Sequence, residues 1–193
     1  MQKNKDYRSG SVARFLDELG SSSVSPGGGS AAALCAALGL ALAEMVARIN
    51  DKRAKKKETA EAKKLRKRLE WLTTLDAKTF KAMSKFFKED RKSLKFQNAL
   101  RVCAKVPLEI CELSLKGLRL ARREENRTSR WLASDLAESG VLLEAAFYSA
   151  RLNVNINLRG MLEKKYVAKT RKRLDAIERE IISQRKLLSK ACK

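Results

Sequence analysis

The chain has 193 residues and a formal net charge of +21, from 43 Lys and Arg against 22 Asp and Glu. That length most simply means one domain, and a 44% apolar share set in periodic patterns supplies a core and argues against wholesale disorder. Histidine is absent, which removes the Ser-His-Asp triad, His-ligated zinc and the commonest general base together. The excess charge favours polyanions, with nucleic acid, anionic membrane and multiply charged small molecules all open. Cys35, Cys103, Cys111 and Cys192 form no Cys-x-x-Cys pair, and Met1 to Gly10 is polar, so a reducing cytoplasm is expected. The apolar run Ala31 to Ala43 is shorter than the roughly 20 residues of a membrane span and is closed by Glu44, so no membrane segment is expected.

Val12, Phe15, Leu16 and Leu19 have the spacing of a short amphipathic helix, with Ser11 as N-cap and Gly20 as its end. Ser25-Pro26-Gly27-Gly28-Gly29-Ser30 then leads into an Ala- and Leu-rich helix expected over about 30–48, apolar all round and therefore central. Ala32, Ala36, Gly39 and Ala43 allow a neighbouring helix to come close. From Asp51 to about Glu89 a charged helix carries Leu65, Leu69, Leu72, Phe80, Met83 and Phe87 on one face, and Asp76 falls on that face where a leucine is expected. The next helix, about 92–123, places Leu100, Cys103, Ile110 and Leu118 on one stripe, and Pro107 inside it predicts a kink near 103–107. Asn126 to Arg130 reads as a connection. Ser134 or Asp135 is expected to cap a helix running through Leu136, Leu143, Phe147, Ala150 and Val154 to about Leu158. A last amphipathic helix, about 165–190, follows Val167, Leu174, Ile177, Ile181 and Leu188. No stretch alternates with period two. The expectation is a single all-α domain, a bundle of about five to seven helices, with its core over about 12–160.

Several positions can carry chemistry, each with a plainer reading beside it. Gly27, Gly28 and Gly29 let the backbone approach another group, and the free N–H groups of the following helix suit an anion or polar ligand edge; a tight turn explains them equally. No Gly-Lys-Ser or Gly-Lys-Thr follows, so this is not a phosphate-binding P-loop. An ionised Asp76 on a core face is costly unless it is paired or lines a cavity. Asp135 is explained by capping alone unless it meets Asp76 in the fold. Asn153 and Asn157 share a helical face and mark either a polar groove or a hydrogen-bond ladder. The cysteines read as small core residues, and the basic cluster Lys52 to Arg68 as a solvated face.

Together these segments resemble a known family. Phe15-Leu16-Asp17-Glu18-Leu19, Ser25 to Ser30 with its alanine-rich helix and Met45-Val46, Asp76-Ala77-Lys78-Thr79-Phe80, Val106-Pro107-Leu108, Ser134-Asp135-Leu136 and Leu152 to Leu158 are similar, in order, to the formiminotetrahydrofolate cyclodeaminase and methenyltetrahydrofolate cyclohydrolase family. The sequence departs from the family at Lys85-Phe86-Phe87-Lys88, where a Leu-Pro-Lys element is usual, and at Asn126, eight residues before Ser134 where five is usual. The resemblance implies an all-α homodimer acting on the N5/N10 one-carbon bridge of tetrahydrofolate, with no metal and no organic cofactor. It implies Asp76 as acid/base with Asp135 as a second catalytic group, and Pro26, Gly27, Gly28, Gly29, Ser30, Ser134, Asn153 and Asn157 around the substrate. A basic surface would attract the glutamate or polyglutamate tail of folate. The alternatives are a helical protein binding nucleic acid through charge alone, and a catalytically silent folate-binding relative.

Overall fold

A computed structural model describes residues 6–51 and 57–188. Among these residues there are six α-helices and no strand: α1 Val12–Leu19, α2 Gly28–Asp51, α3 Lys57–Ser84, α4 Leu94–Glu124, α5 Ala133–Arg159 and α6 Lys164–Leu188. Two single turns of 3-10 helix, Glu125–Arg127 and Arg130–Leu132, join α4 to α5. Lys52 to Lys56 of the basic cluster, and Cys192, lie outside the described residues.

The centre of the bundle is α2, which packs against α3, α4 and α5. It is the one helix among the described residues long and apolar enough to cross a membrane, and most of its apolar window is buried inside the bundle. Its small residues have the expected use. Ala32, Ala36 and Ala43 are buried, and a Cβ on Gly39 would lie 2.9 Å from Leu143 Cγ and 3.0 Å from the Ser139 carbonyl oxygen on α5. Ser139 Oγ donates to the Gly39 carbonyl at 2.7 Å, so the two backbones are joined where they come closest. Gly28 lies beside Asn153 and Gly39 beside Ser139, which makes α2 and α5 antiparallel.

Helix starts follow local rules only in part. Ser11 Oγ accepts from Arg14 N–H at 3.1 Å, and Ser93 Oγ from Phe96 N–H at 3.2 Å, satisfying donors the helix leaves free. α5 differs from expectation. It begins at Ala133 after Leu132, with no side-chain cap, so Ser134 and Asp135 sit inside the first turn. The preceding 3-10 turn delivers the chain already coiled, and an acidic Asp135 there still suits the positive end of the helix dipole. The stripe of α1 is a second correction: Phe15 is buried against Tyr7, ring edge to face, while Val12 and Leu16 stay exposed. α4 continues through Pro107 as one helix.

The described part of the basic cluster that reaches Arg68 is more than a solvated face. Arg66 Nε reaches the buried Glu44 on α2 at 2.7 Å and pairs with Glu70, and Arg68 forks onto Glu109 of α4 at 2.6 and 2.9 Å. Burial pushes the Glu44 carboxyl up, but hydrogen bonds from Arg66 and Arg48 outweigh it and hold the group below the usual glutamate range.

Candidate active site

A cavity of about 550 Å³ opens where the start of α2, the end of α3, the start of α4 and the end of α5 converge. One end is polar. Gly27, Gly28 and Gly29, Asp76 of α3, and Asn153 and Asn157 of α5 line it. Apolar wall comes from Phe80, Met83, Phe96, Leu100 and Pro107. A concave, mostly apolar space with a few converging polar groups is the usual form of a small-molecule site.

Asp76 is held at the N-terminus of α2. Ser30 Oγ donates to its Oδ2 at 3.0 Å, and the Ser30 backbone N–H also reaches the carboxylate. The carboxylate lies flat against Gly29, where a Cβ would fall within 2.7 Å of Oδ2 and closer still to Oδ1. Only glycine admits this approach. Burial raises the Asp76 pKa, and the two Ser30 hydrogen bonds, which favour the charged form, only partly offset it. The result is a carboxyl biased toward protonation compared with an aspartate in water, the direction that suits an acid/base group.

The asparagines face the same space. Asn153 Nδ2 donates to the Ser149 carbonyl at 2.9 Å and Asn157 Nδ2 to the Asn153 carbonyl at 2.8 Å. Each amide thereby spends one N–H on its own helix and keeps a carbonyl oxygen for other donors. Cys103 Sγ donates to the Thr79 carbonyl at 3.4 Å, and its pKa is pushed up to about 11 by burial and then by the charge of Asp76. It is therefore a neutral thiol on the wall, not a nucleophile.

Of the positions singled out in the sequence, the structure brings together Gly27, Gly28, Gly29, Ser30, Asp76, Asn153 and Asn157. Pro26 is buried and does not line the cavity. Ser134 and Asp135 are elsewhere in the chain. Asp135 is 18 residues from Asn153 on one helix, about 27 Å at 1.5 Å per residue. Within one chain it does not meet Asp76. Sequence reasoning missed Thr79 and Arg91 on the lining. Thr79 was available as the next turn after Asp76 on α3; Arg91 lies in the α3–α4 connection and carried no periodic signal.

The profile of the formiminotransferase-cyclodeaminase family matches residues 11–176. The chain belongs to that family. It is 28% identical over 182 residues to a methenyltetrahydrofolate cyclohydrolase of Methylorubrum extorquens, covering 86% of this chain and 88% of that protein. It is also 31% identical to the formimidoyltransferase-cyclodeaminase of Rattus norvegicus, with 92% of this chain matched to 36% of the rat protein. The chain thus spans about a third of the length of that larger relative. A crystal structure of a formiminotetrahydrofolate cyclodeaminase from Thermotoga maritima superposes with a TM-score of 0.88 at 25% identity, over 95% of this chain and 96% of that one. Within this family fold, the cavity with Asp76 is lined from α2, α3, α4 and α5.

Proposed function

We propose that the protein is a one-carbon folate enzyme that closes or opens the bridge between N5 and N10 of tetrahydrofolate. The observation that carries this is the Asp76 carboxyl, desolvated at the start of α2 and facing a cavity that also presents Asn153 and Asn157. The names of the relatives supply the substrate class.

In the cyclodeaminase direction, N10 attacks the protonated formimino carbon on N5 and a C–N bond forms. Asp76 takes the N10 proton and returns it to the exocyclic nitrogen, which leaves as ammonia while the methenyl cation closes. In the cyclohydrolase direction, water attacks the methenyl carbon, Asp76 takes one water proton and passes it to N5, and the C–N5 bond breaks as the remaining hydroxyl proton is released to solvent, leaving the N10-formyl compound. Each sequence balances with substrate, water and one carboxyl. Asn153 and Asn157 supply amides that match the donor and acceptor edge of the pterin, and the glycines let that edge reach the backbone of α2.

The direct test follows the methenyl absorbance with purified protein. Asp76→Asn is expected to keep its fold and lose at least about a hundredfold in turnover, the usual contribution of a positioned acid/base. A folded variant with wild-type turnover would remove the assignment. We further propose that the enzyme works as a homodimer in a reducing cytoplasm and favours polyglutamylated folate. The basic surface supports the last point: affinity is expected to rise with tail length, and the gain to shrink as salt rises. Equal affinity for monoglutamate and polyglutamate forms would remove it.

A further inference from the structure

The folate reading leaves one lining residue without a role. Arg91 is the only cationic side chain on the cavity wall among the described residues, and it lies with Phe87 on the side formed by the α3–α4 connection. It is exposed, and it has no ion pair among the described residues. Its nearest sequence carboxylate is already used: Asp90 Oδ1 accepts from the Lys92 backbone N–H at 2.9 Å, closing the local turn.

The backbone of Arg91 is tied down independently. Gln97 Nε2 donates to the Arg91 carbonyl at 2.7 Å and to the Gly160 carbonyl at 3.0 Å, while Gln97 Oε1 accepts from the Leu162 N–H at 2.9 Å. One amide therefore joins the Arg91 turn to the chain that leaves α5. The site of attachment is fixed, and a charged side chain of full length remains available at the cavity mouth.

We propose that Arg91 binds the glutamate carboxylates of the folate substrate, setting the depth at which the pterin meets Asp76. This rests on the folate reading and adds a position and a chemistry to it. Along α3 and the connection that follows it, the lining passes in chain order from the carboxyl of Asp76 through Phe80, Met83 and Phe87 to the guanidinium of Arg91. A folate runs in the same order, from a polar pterin through an aromatic ring to an anionic amino acid. Guanidinium is suited to the last element because its planar donors match a carboxylate with two parallel hydrogen bonds. The general positive charge of the surface attracts the tail from a distance, whereas Arg91 fixes it.

The test compares 5-formyltetrahydrofolate with 5-formyltetrahydropteroate, which lacks the glutamate, by calorimetric Kd. Wild type is expected to bind the glutamate form about tenfold more tightly, the scale of a charge-assisted hydrogen bond weakened by exposure. Arg91→Gln should reduce that preference to less than twofold without changing the Kd of the tail-less compound. Arg159→Gln, an exposed arginine on the opposite face of α5, should keep the preference and so controls for loss of charge alone. A preference that survives Arg91→Gln overturns the proposal, as does equal weakening for both compounds. Turnover of the methenyl bridge, measured in parallel, separates the two readings. If wild type turns over substrate and Arg91→Gln keeps the preference, the anchor falls and the reaction stands. Wild type that neither binds nor converts either compound removes the folate reading and the anchor with it.

Discussion

At the scale of single residues, the arrangement depends on Asp76 being close to a helix start and poor in water at once. The two effects oppose each other, since Ser30 donors favour the anion and burial disfavours it, and burial prevails. Because the folded pKa is raised, the acid limb of kcat/KM, set by the need for an ionised base, should lie above the ordinary aspartate value of about 3.9. The same shift has a stability consequence. The native state favours the protonated group, so its stabilising contribution is present at low pH and is lost as pH rises through the folded pKa. Asp76→Asn should therefore gain in Tm relative to wild type as pH moves from acid to neutral, and an unchanged difference across that range would contradict the buried-carboxyl account. Gly29 offers a sharper test. Gly29→Ala places a methyl inside the space of the Asp76 carboxylate, whereas Gly28→Ala meets only the Asn153 side chain at 3.5 Å, an ordinary contact. The first variant should lose most activity while remaining folded, and the second should lose little; kcat/KM beside a thermal melt checks both. Asp76 was legible in the sequence because a carboxylate interrupts an apolar stripe. Its dependence on Gly29 in particular was not, since the contact joins residues 47 positions apart.

At the scale of elements, pattern and propensity specified which segments coil but not always how they end or which side they bury. α2 was readable because its alanines and glycines serve close packing as well as helix formation. The sequence offered Ser134 and Asp135 as caps for α5, yet the chain enters through a 3-10 turn that no residue pattern announces. The exposed Val12 and Leu16 show the limit of periodicity, because a stripe states what could be buried and only a neighbouring element decides whether it is. Gly39 allows a quantitative test of which consideration governs α2. Replacing glycine by alanine in a helix interior should stabilise by about 1 kcal/mol from propensity alone. Here the methyl would press on Leu143 Cγ and on a backbone carbonyl that cannot rotate away, and overpacking of that kind costs about 1 to 3 kcal/mol. Gly39→Ala should therefore lower stability in chemical denaturation, with α2 and α5 forced apart; a stabilised variant would mean that the contact relaxes freely.

At the scale of the whole molecule, the charge read from composition turns out to be partly committed. Arg66, Arg68 and Arg119 are paired with carboxylates of other helices, so these guanidinium groups tie helices together as well as repelling one another, while Arg48 pairs within α2. What composition could not reveal is where the remaining apolar surface lies. Leu38, Met45 and Ile49 of α2 are exposed, as are Val141, Leu152 and Ile156 of α5. On α2 these three positions fall within a narrow arc, to one side of the arc through Cys35 and Gly39 that touches α5. The α5 residues fall in the matching arc beside Leu142 and Leu143. Because the helices are antiparallel, both arcs open on the same side of the pair. Exposed apolar side chains gathered on one side of a helix pair are a common mark of an interaction surface, and the same side on two copies can close on itself about a two-fold axis. This supports the proposed homodimer and sets its test. Leu38→Glu with Leu152→Glu puts two carboxylates on that face without touching the buried core, so each chain should fold, retain its helicity and sediment as a monomer at concentrations where wild type is dimeric. Lys81→Glu, a charge change on α3 outside the face, should leave the dimer intact. A double variant that remains dimeric would move the interface to another surface, and a wild-type chain that sediments as a monomer would remove the dimer altogether.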